Sequence, residues 1–239
     1  MRYFGGKARI GKQIAEFINS FYVPNAVYLE PFVGGAWVMF RVDDRFRKIG
    51  SDACRPLIDL YNALLQGWQP PDDVTREMYK DAKDGKLSPE LTAFIGFGCS
   101  FAGKWFGGYA STPGRNYAKN AKNSLNTKLK GLQDSQFNWG SYEELIKLSP
   151  TRCVIYCDPP YAGTTGYSAV GTFDFDKFWQ TMRDWSRDNV VIVSEYNAPE
   201  DFECVLAIQT KTDIRSKTGK EPRLEKLFMM KNGLRSLKT

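Results

Sequence analysis

The chain has 239 residues, 42% of them hydrophobic and 25% charged, with a net charge of +6 and no histidine. That composition fits a globular protein with a sizeable core, and the missing histidine excludes Ser-His and Cys-His nucleophilic catalysis as well as His-ligated zinc. No apolar run is long enough to span a membrane, the first residues lack the apolar stretch of a signal peptide, and five scattered cysteines read as reduced thiols, so a cytoplasmic location without membrane contact is expected.

Ala8–Tyr22 reads as an amphipathic helix, with Ile10, Ile14, Phe17, Ile18 and Phe21 on one face. Val27–Glu30 is a short strand that runs into a glycine-rich turn, and Ala36–Val42 reads as the helix after it. Lys48–Ser51 is a second strand ending at Asp52, and Pro56 opens a helix over Pro56–Trp68. After Gln69-Pro70-Pro71 the strand signals weaken, several helices are expected, and a glycine and aromatic patch follows. The alternation then resumes: Cys153–Cys157 as a strand, Asp174–Arg187 as a helix, Asn189–Ser194 as a strand. Phe202–Ile208 and Leu227–Lys231 read as a terminal antiparallel pair joined by a basic loop around Arg215–Pro222. The simplest organisation is one mostly parallel α/β domain, residues 1–69 and 140–239, interrupted by an insertion at 70–139.

Three clusters carry chemistry. Glu30-Pro31-Phe32-Val33-Gly34-Gly35-Ala36 lies between a strand and a helix, where glycines permit close backbone approach to a ligand. Asp52, at the end of the next strand, is placed to accept both hydroxyls of a ribose, so together they suggest a nucleoside cofactor. Lys7, behind Gly5-Gly6 at a helix start, suits a carboxylate such as the amino-acid end of that cofactor. Asp158-Pro159-Pro160-Tyr161 follows directly on a buried strand. Two prolines stop the strand and mount a carboxylate and a ring rigidly at its end, an arrangement suited to a flipped nucleobase and its amino group.

Charge is segregated. Leu91–Gln133 holds no acid but carries Lys104, Arg115, Lys119, Lys122, Lys128 and Lys130, and Lys211–Thr239 has nine basic residues against three acids. A polyanionic partner fits this pattern. Lys104, Arg115, Asn116, Lys119, Lys122 and Lys128 are candidates for contact with such a partner, with Arg215 and Lys217 as a second clamp.

Taken in order, FGGK, EPFVGG, SDACRPLIDLYN, a basic insertion and CDPPYAGTTGY resemble the Dam-type DNA adenine methyltransferases of the alpha group. The resemblance implies a Rossmann-like class I methyltransferase fold: a seven-stranded, mostly parallel sheet with an antiparallel last strand, and an inserted, mainly helical recognition domain. It also implies S-adenosylmethionine as methyl donor, double-stranded DNA as substrate, base flipping, and direct displacement by the adenine amine. Carried onto this chain, Lys7 meets the methionine carboxylate beside Tyr3. Glu30, Pro31, Phe32, Gly34 and Gly35 form the cofactor loop, and Asp52 holds the ribose. Asp158 and the Pro159 carbonyl accept N–H bonds from the target amine, Pro160 stiffens the turn, and Tyr161 stacks on the base.

Three positions depart from the family pattern. Ala36 stands where a further glycine is common, Ser141-Tyr142 replaces an acid and aromatic that read the cofactor's adenine, and the insertion lacks the Arg-Tyr-Asn stretch of GATC-specific members. Weaker cofactor binding through Ser141 is therefore expected, and the recognition sequence stays open. Methylation of the cytosine amine, or DNA binding without catalysis, are the alternatives. Phage self-protection, a restriction partner and an orphan regulator are all compatible roles, and monomeric action is compatible with the chain.

Overall fold

The computed structural model describes residues 1, 5–146, 150–161, 173–210 and 223–237. Tyr3, the loop Gly163–Tyr167 and the basic loop with Arg215 and Lys217 lie outside them. The described strands are β1 (Val27–Glu30), β2 (Arg47–Asp52), β3 (Gln136–Trp139), β4 (Cys153–Cys157), β5 (Val190–Glu195), β6 (Phe202–Thr210) and β7 (Arg223–Met230). They form one seven-stranded sheet in the order β3-β2-β1-β4-β5-β7-β6. The first five positions are mutually parallel, and β7 runs antiparallel to both β5 and β6.

The central strands are buried on both faces, which is why they read as continuous apolar runs. Successive residues point to opposite faces. Tyr28, Val154, Tyr156, Val190 and Ile192 pack on the side of α1 (Gly11–Asn19) and α2 (Arg55–Leu65), with Ile14, Ile18, Leu57 and Tyr61. Leu29, Ile155, Cys157, Val191 and Val193 pack on the other side with Phe178, Met182 and Trp185 from the helix at Phe175–Trp185. Asp174 caps that helix by accepting the Lys177 amide at 3.0 Å.

Between β2 and β3 lie α3 (Arg76–Lys83), α4 (Pro89–Ala93) and α5 (Tyr117–Leu129). α6 (Tyr142–Ile146) follows β3, and α7 is the helix at Phe175–Trp185. The sequence places residues 70–139 in an insertion, yet the last of them, Gln136–Trp139, pair in register with Ile49–Asp52 as the sheet's edge strand.

The helix expected at Ala36–Val42 is absent apart from a 3-10 turn at Met39–Arg41. Gly34 and Ala36 take φ of 43° and 50°, and a left-handed residue cannot continue a right-handed helix. The α1 backbone also packs closely here, because a side chain at Gly11 would collide with the Trp37 carbonyl at 2.4 Å. Among the described residues no helix is long and apolar enough to cross a membrane.

Candidate active site

The polar groups singled out in the sequence line up along one sheet edge, at the C-terminal ends of the parallel strands. At the end of β1 the chain turns sharply, and Asp52 at the end of β2 fixes that turn. Its Oδ2 accepts the Gly34 amide at 2.9 Å and its Oδ1 accepts the Cys54 amide at 2.9 Å. Tyr61 Oη donates to the Gly34 carbonyl at 2.9 Å, and Lys128 Nζ donates to the Gly35 carbonyl. Burial raises the Asp52 carboxyl, opposed by those two amides. Glu30 is buried and accepts from Tyr28 Oη at 2.6 Å; burial pushes its carboxyl well above the usual range. Pro31 and Gly35 are buried, while Phe32 is half-buried against Tyr142 and Phe178.

Asp158 follows β4. Lys7, whose carbonyl accepts the first amides leading into α1, reaches across so that Nζ sits 2.7 Å from Asp158 Oδ1. Glu225 on β7 joins them, its Oε1 3.3 Å from the same ammonium. Tyr161 Oη donates to Glu225, and Ser194 Oγ on β5 donates to the same oxygen at 3.0 Å. The Lys7 ammonium lies 4.6 Å from the centre of the Tyr161 ring, and Tyr196 packs edge-on to that ring at 4.7 Å. Burial pulls the Lys7 pKa down, but the two carboxylates outweigh it and hold it above its ordinary value. Burial raises the Asp158 carboxyl, opposed by the adjacent Lys7 charge. Pro159 is buried, and Pro160 is half-buried.

At the end of β3, Ser141 is half-buried, and Gly140 donates its amide to the Asp52 carbonyl at 3.1 Å. Tyr142 is buried, its hydroxyl has no hydrogen-bond partner among the described residues, and burial pushes it up to about 12. Beside Asp52 stands Trp139, 58% exposed, its indole N–H donated to the Ala53 carbonyl at 3.2 Å and the Arg55 guanidinium 5.0 Å from its ring. Sequence reasoning misses Trp139 and Glu225. Trp139 comes to lie beside Asp52 only through the pairing of β3 with β2, and nothing local distinguishes Glu225.

The basic residues of the insertion separate into two groups. Lys104, Arg115 and Lys119 are exposed, with Arg115 4.9 Å from the Tyr117 ring. Lys122 pairs with Asp72 at 3.1 Å. Asn116 is committed to the fold: its Oδ1 caps α5 at the Lys119 amide, at 2.8 Å, and its Nδ2 donates to Asp73 at 2.6 Å. Lys128 corrects the sequence reading outright. It is 1% exposed, points inward to the Gly35 carbonyl, and lies 3.8 Å from the Trp37 ring, so it presents no charge to a phosphate. Burial lowers its pKa to about 7. A cleft of about 390 Å³ opens beside Tyr109, Arg115 and Tyr117.

A model of the D12 class of N6 adenine-specific DNA methyltransferases matches residues 3–90 and 106–210. Among solved structures, the chain is similar to the rRNA methyltransferase aviRa from Streptomyces viridochromogenes, at 10% identity, covering 95% of this chain and 86% of that one with a TM-score of 0.44. It is also similar to the M protein of the type I restriction enzyme EcoKI, at 12% identity over 99% of this chain and 46% of that one, TM-score 0.41. TrmN from Thermus thermophilus is a further likeness, at 12% identity over 91% and 46%, TM-score 0.40. No curated protein matches the chain.

Proposed function

The chain belongs to the D12 class of N6 adenine-specific DNA methyltransferases, and from that premise we propose that it moves the methyl group of S-adenosylmethionine to the amine of adenines flipped out of double-stranded DNA. It is an α/β methyltransferase, its sheet mostly parallel with antiparallel last strands. The observation that carries the finer reading is the row of polar groups along one sheet edge: Trp139 and Ser141 beyond β3, Asp52 on β2, the Gly34–Ala36 turn after β1, and Asp158 after β4. Ligands of open α/β sheets bind at that edge.

The donor set fits an elongated nucleoside with an amino-acid tail. The Asp52 oxygens each spend one lone pair on a backbone amide and retain another for a ribose hydroxyl. Trp139 and Ser141 would hold its base end and Lys7 its carboxylate end. Held there, S-adenosylmethionine supplies an activated methyl group open to direct displacement.

The rest is the work of this chain. An adenine amine is a weak nucleophile because its lone pair is delocalised into the ring. Asp158 and the Pro159 carbonyl each accept one of its N–H bonds, drawing the nitrogen toward tetrahedral geometry. Lys7 occupies one lone pair of Asp158, opposes the effect of burial in favour of the ionised form, and aims the carboxylate. Tyr161, braced by Glu225 and Tyr196, offers a ring to the flipped base and offsets part of the few kcal/mol of unstacking. The burial of Asp158 strengthens its hydrogen bonds relative to water.

We place residues 70–135 as the recognition segment, with Lys104, Arg115, Lys119 and Lys122 toward the phosphates, and the protein in the cytoplasm with its DNA. Methylome sequencing of DNA from cells expressing the chain tests the reading: modified adenines in a defined sequence support it, and unmodified DNA contradicts it.

A further inference from the structure

Lys7 is asked to balance two carboxylates. Asp158 lies 2.7 Å and Glu225 3.3 Å from its single ammonium, and all three side chains are largely buried. Among the described residues, Lys7 is the basic side chain paired with either acid. Tyr161 and Ser194 donate neutral hydrogen bonds to Glu225, and Tyr156 Oη backs Ser194 at 3.0 Å. These donors stabilise the carboxylate without cancelling its charge. Glu30 stands nearby but is bonded to Tyr28 and held toward its protonated form, so it adds little. One ammonium against two carboxylates leaves the buried cluster with an excess of negative charge; burial and the neighbouring Glu225 raise the Asp158 carboxyl against the pull of Lys7, and a bound cation relieves the same excess.

We propose that Glu225 supplies the unbalanced negative charge by which this site prefers the sulfonium methyl donor to its demethylated product. The inference rests on S-adenosylmethionine being the donor. That molecule carries a carboxylate, an ammonium and a sulfonium, and is a net cation. S-adenosylhomocysteine has lost the sulfonium charge and is net neutral. The target adenine is neutral too, so the donor is the ligand whose charge completes the cluster. Methyl transfer forms the N6–C bond as the S–C bond breaks, the sulfur keeping the electron pair. The positive charge passes to the amine nitrogen and leaves with one of its protons, so the spent product no longer carries the charge that Glu225 attracts, which favours its release. Glu225 acts through this field and through its bonds to Lys7 and Tyr161, and is therefore a positioning residue.

The test is calorimetric titration of the full chain with each nucleoside separately, in wild type, Glu225→Gln and Glu225→Asp. Wild type is expected to bind the donor about tenfold more tightly than the product. Glu225→Gln is expected to lose about tenfold in donor affinity while product affinity stays within about twofold, and Glu225→Asp, which keeps the charge, to retain the preference. Equal weakening of both nucleosides by Glu225→Gln, or no weakening of either, overturns the proposal. Should Glu225→Gln fail to fold, the wild-type comparison decides alone: equal affinity for donor and product overturns it. Failure of wild type to bind either nucleoside removes the donor assignment itself, and this inference with it.

Discussion

Lys7 Nζ sits 2.7 Å from Asp158 Oδ1, joining the turn before α1 to the strand end at β4 across 151 positions of sequence. The pair links the lysine proposed for the cofactor's carboxylate to the acid proposed for the target amine. Removing Lys7 leaves two buried carboxylates without their cation.

Lys7→Met is therefore expected to lower stability by about 3–5 kcal/mol, read by chemical denaturation at pH 7. The folded Lys7 pKa is raised by its carboxylates, so its contribution is complete below the unfolded value near 10.4 and fades only as pH rises through the higher folded value. The gap between wild type and variant is expected to hold from neutral pH to about pH 10 and close above it.

Asp158→Ala is expected to cut kcat by at least about 100-fold while DNA affinity changes little. Lys7 keeps Glu225 as a partner in that variant, so the fold survives. Single-turnover methylation alongside a binding isotherm separates the two effects. Normal turnover would remove Asp158 from its assigned role.

Lys128 gives a pH signature of opposite sense. Its folded pKa is lowered to about 7 by burial, while the unfolded chain holds its proton to about 10.4. Between these values the unfolded state binds more protons, so stability is expected to rise with pH, by at most about 1.4 kcal/mol per pH unit. Lys128→Met is expected to flatten that rise, measured as denaturation midpoints from pH 7 to 10. It is also expected to leave the salt dependence of DNA binding unchanged.

Lys119→Ala combined with Lys122→Ala is expected to reduce that salt dependence, by roughly 0.9 in log–log slope for each phosphate no longer neutralised. An unchanged slope in affinity titrations from low to moderate salt would place the DNA surface elsewhere.

Asn116→Ala is expected to cost about 1 kcal/mol through removal of the α5 cap, with the salt slope intact. Thermal melts and DNA titrations on one preparation check both halves.

The legible parts of the sequence are those in which one stretch determines its own state. Cys153–Cys157 and Val27–Glu30 are short, mostly apolar runs, and both are central parallel strands. Asp158-Pro159 can only stop such a strand, and it does. The terminal antiparallel pair is legible from its period and appears as β6 and β7. What escapes depends on partners distant in sequence. β3 is short and polar with only Phe137 inward, and its place at the edge is set by pairing with β2. Lys128 has the same sequence character as its exposed neighbours, and only docking against Trp37 and Gly35 buries it. Glu225 is one acid in an alternating strand until β7 lies beside β5 and brings it to Lys7 and Ser194. Ala36 reads as part of a helix because nothing local signals that Asp52 holds the Gly34 amide and turns the chain.

The most direct test of the central claim is methyl transfer with purified components. The chain is incubated with methyl-labelled S-adenosylmethionine and mixed-sequence duplex DNA, and the DNA is digested to nucleosides. The expected result is label in N6-methyl-2′-deoxyadenosine with wild type and none with Asp158→Ala. Label in a methylated cytosine, or the same yield from Asp158→Ala, would contradict the account.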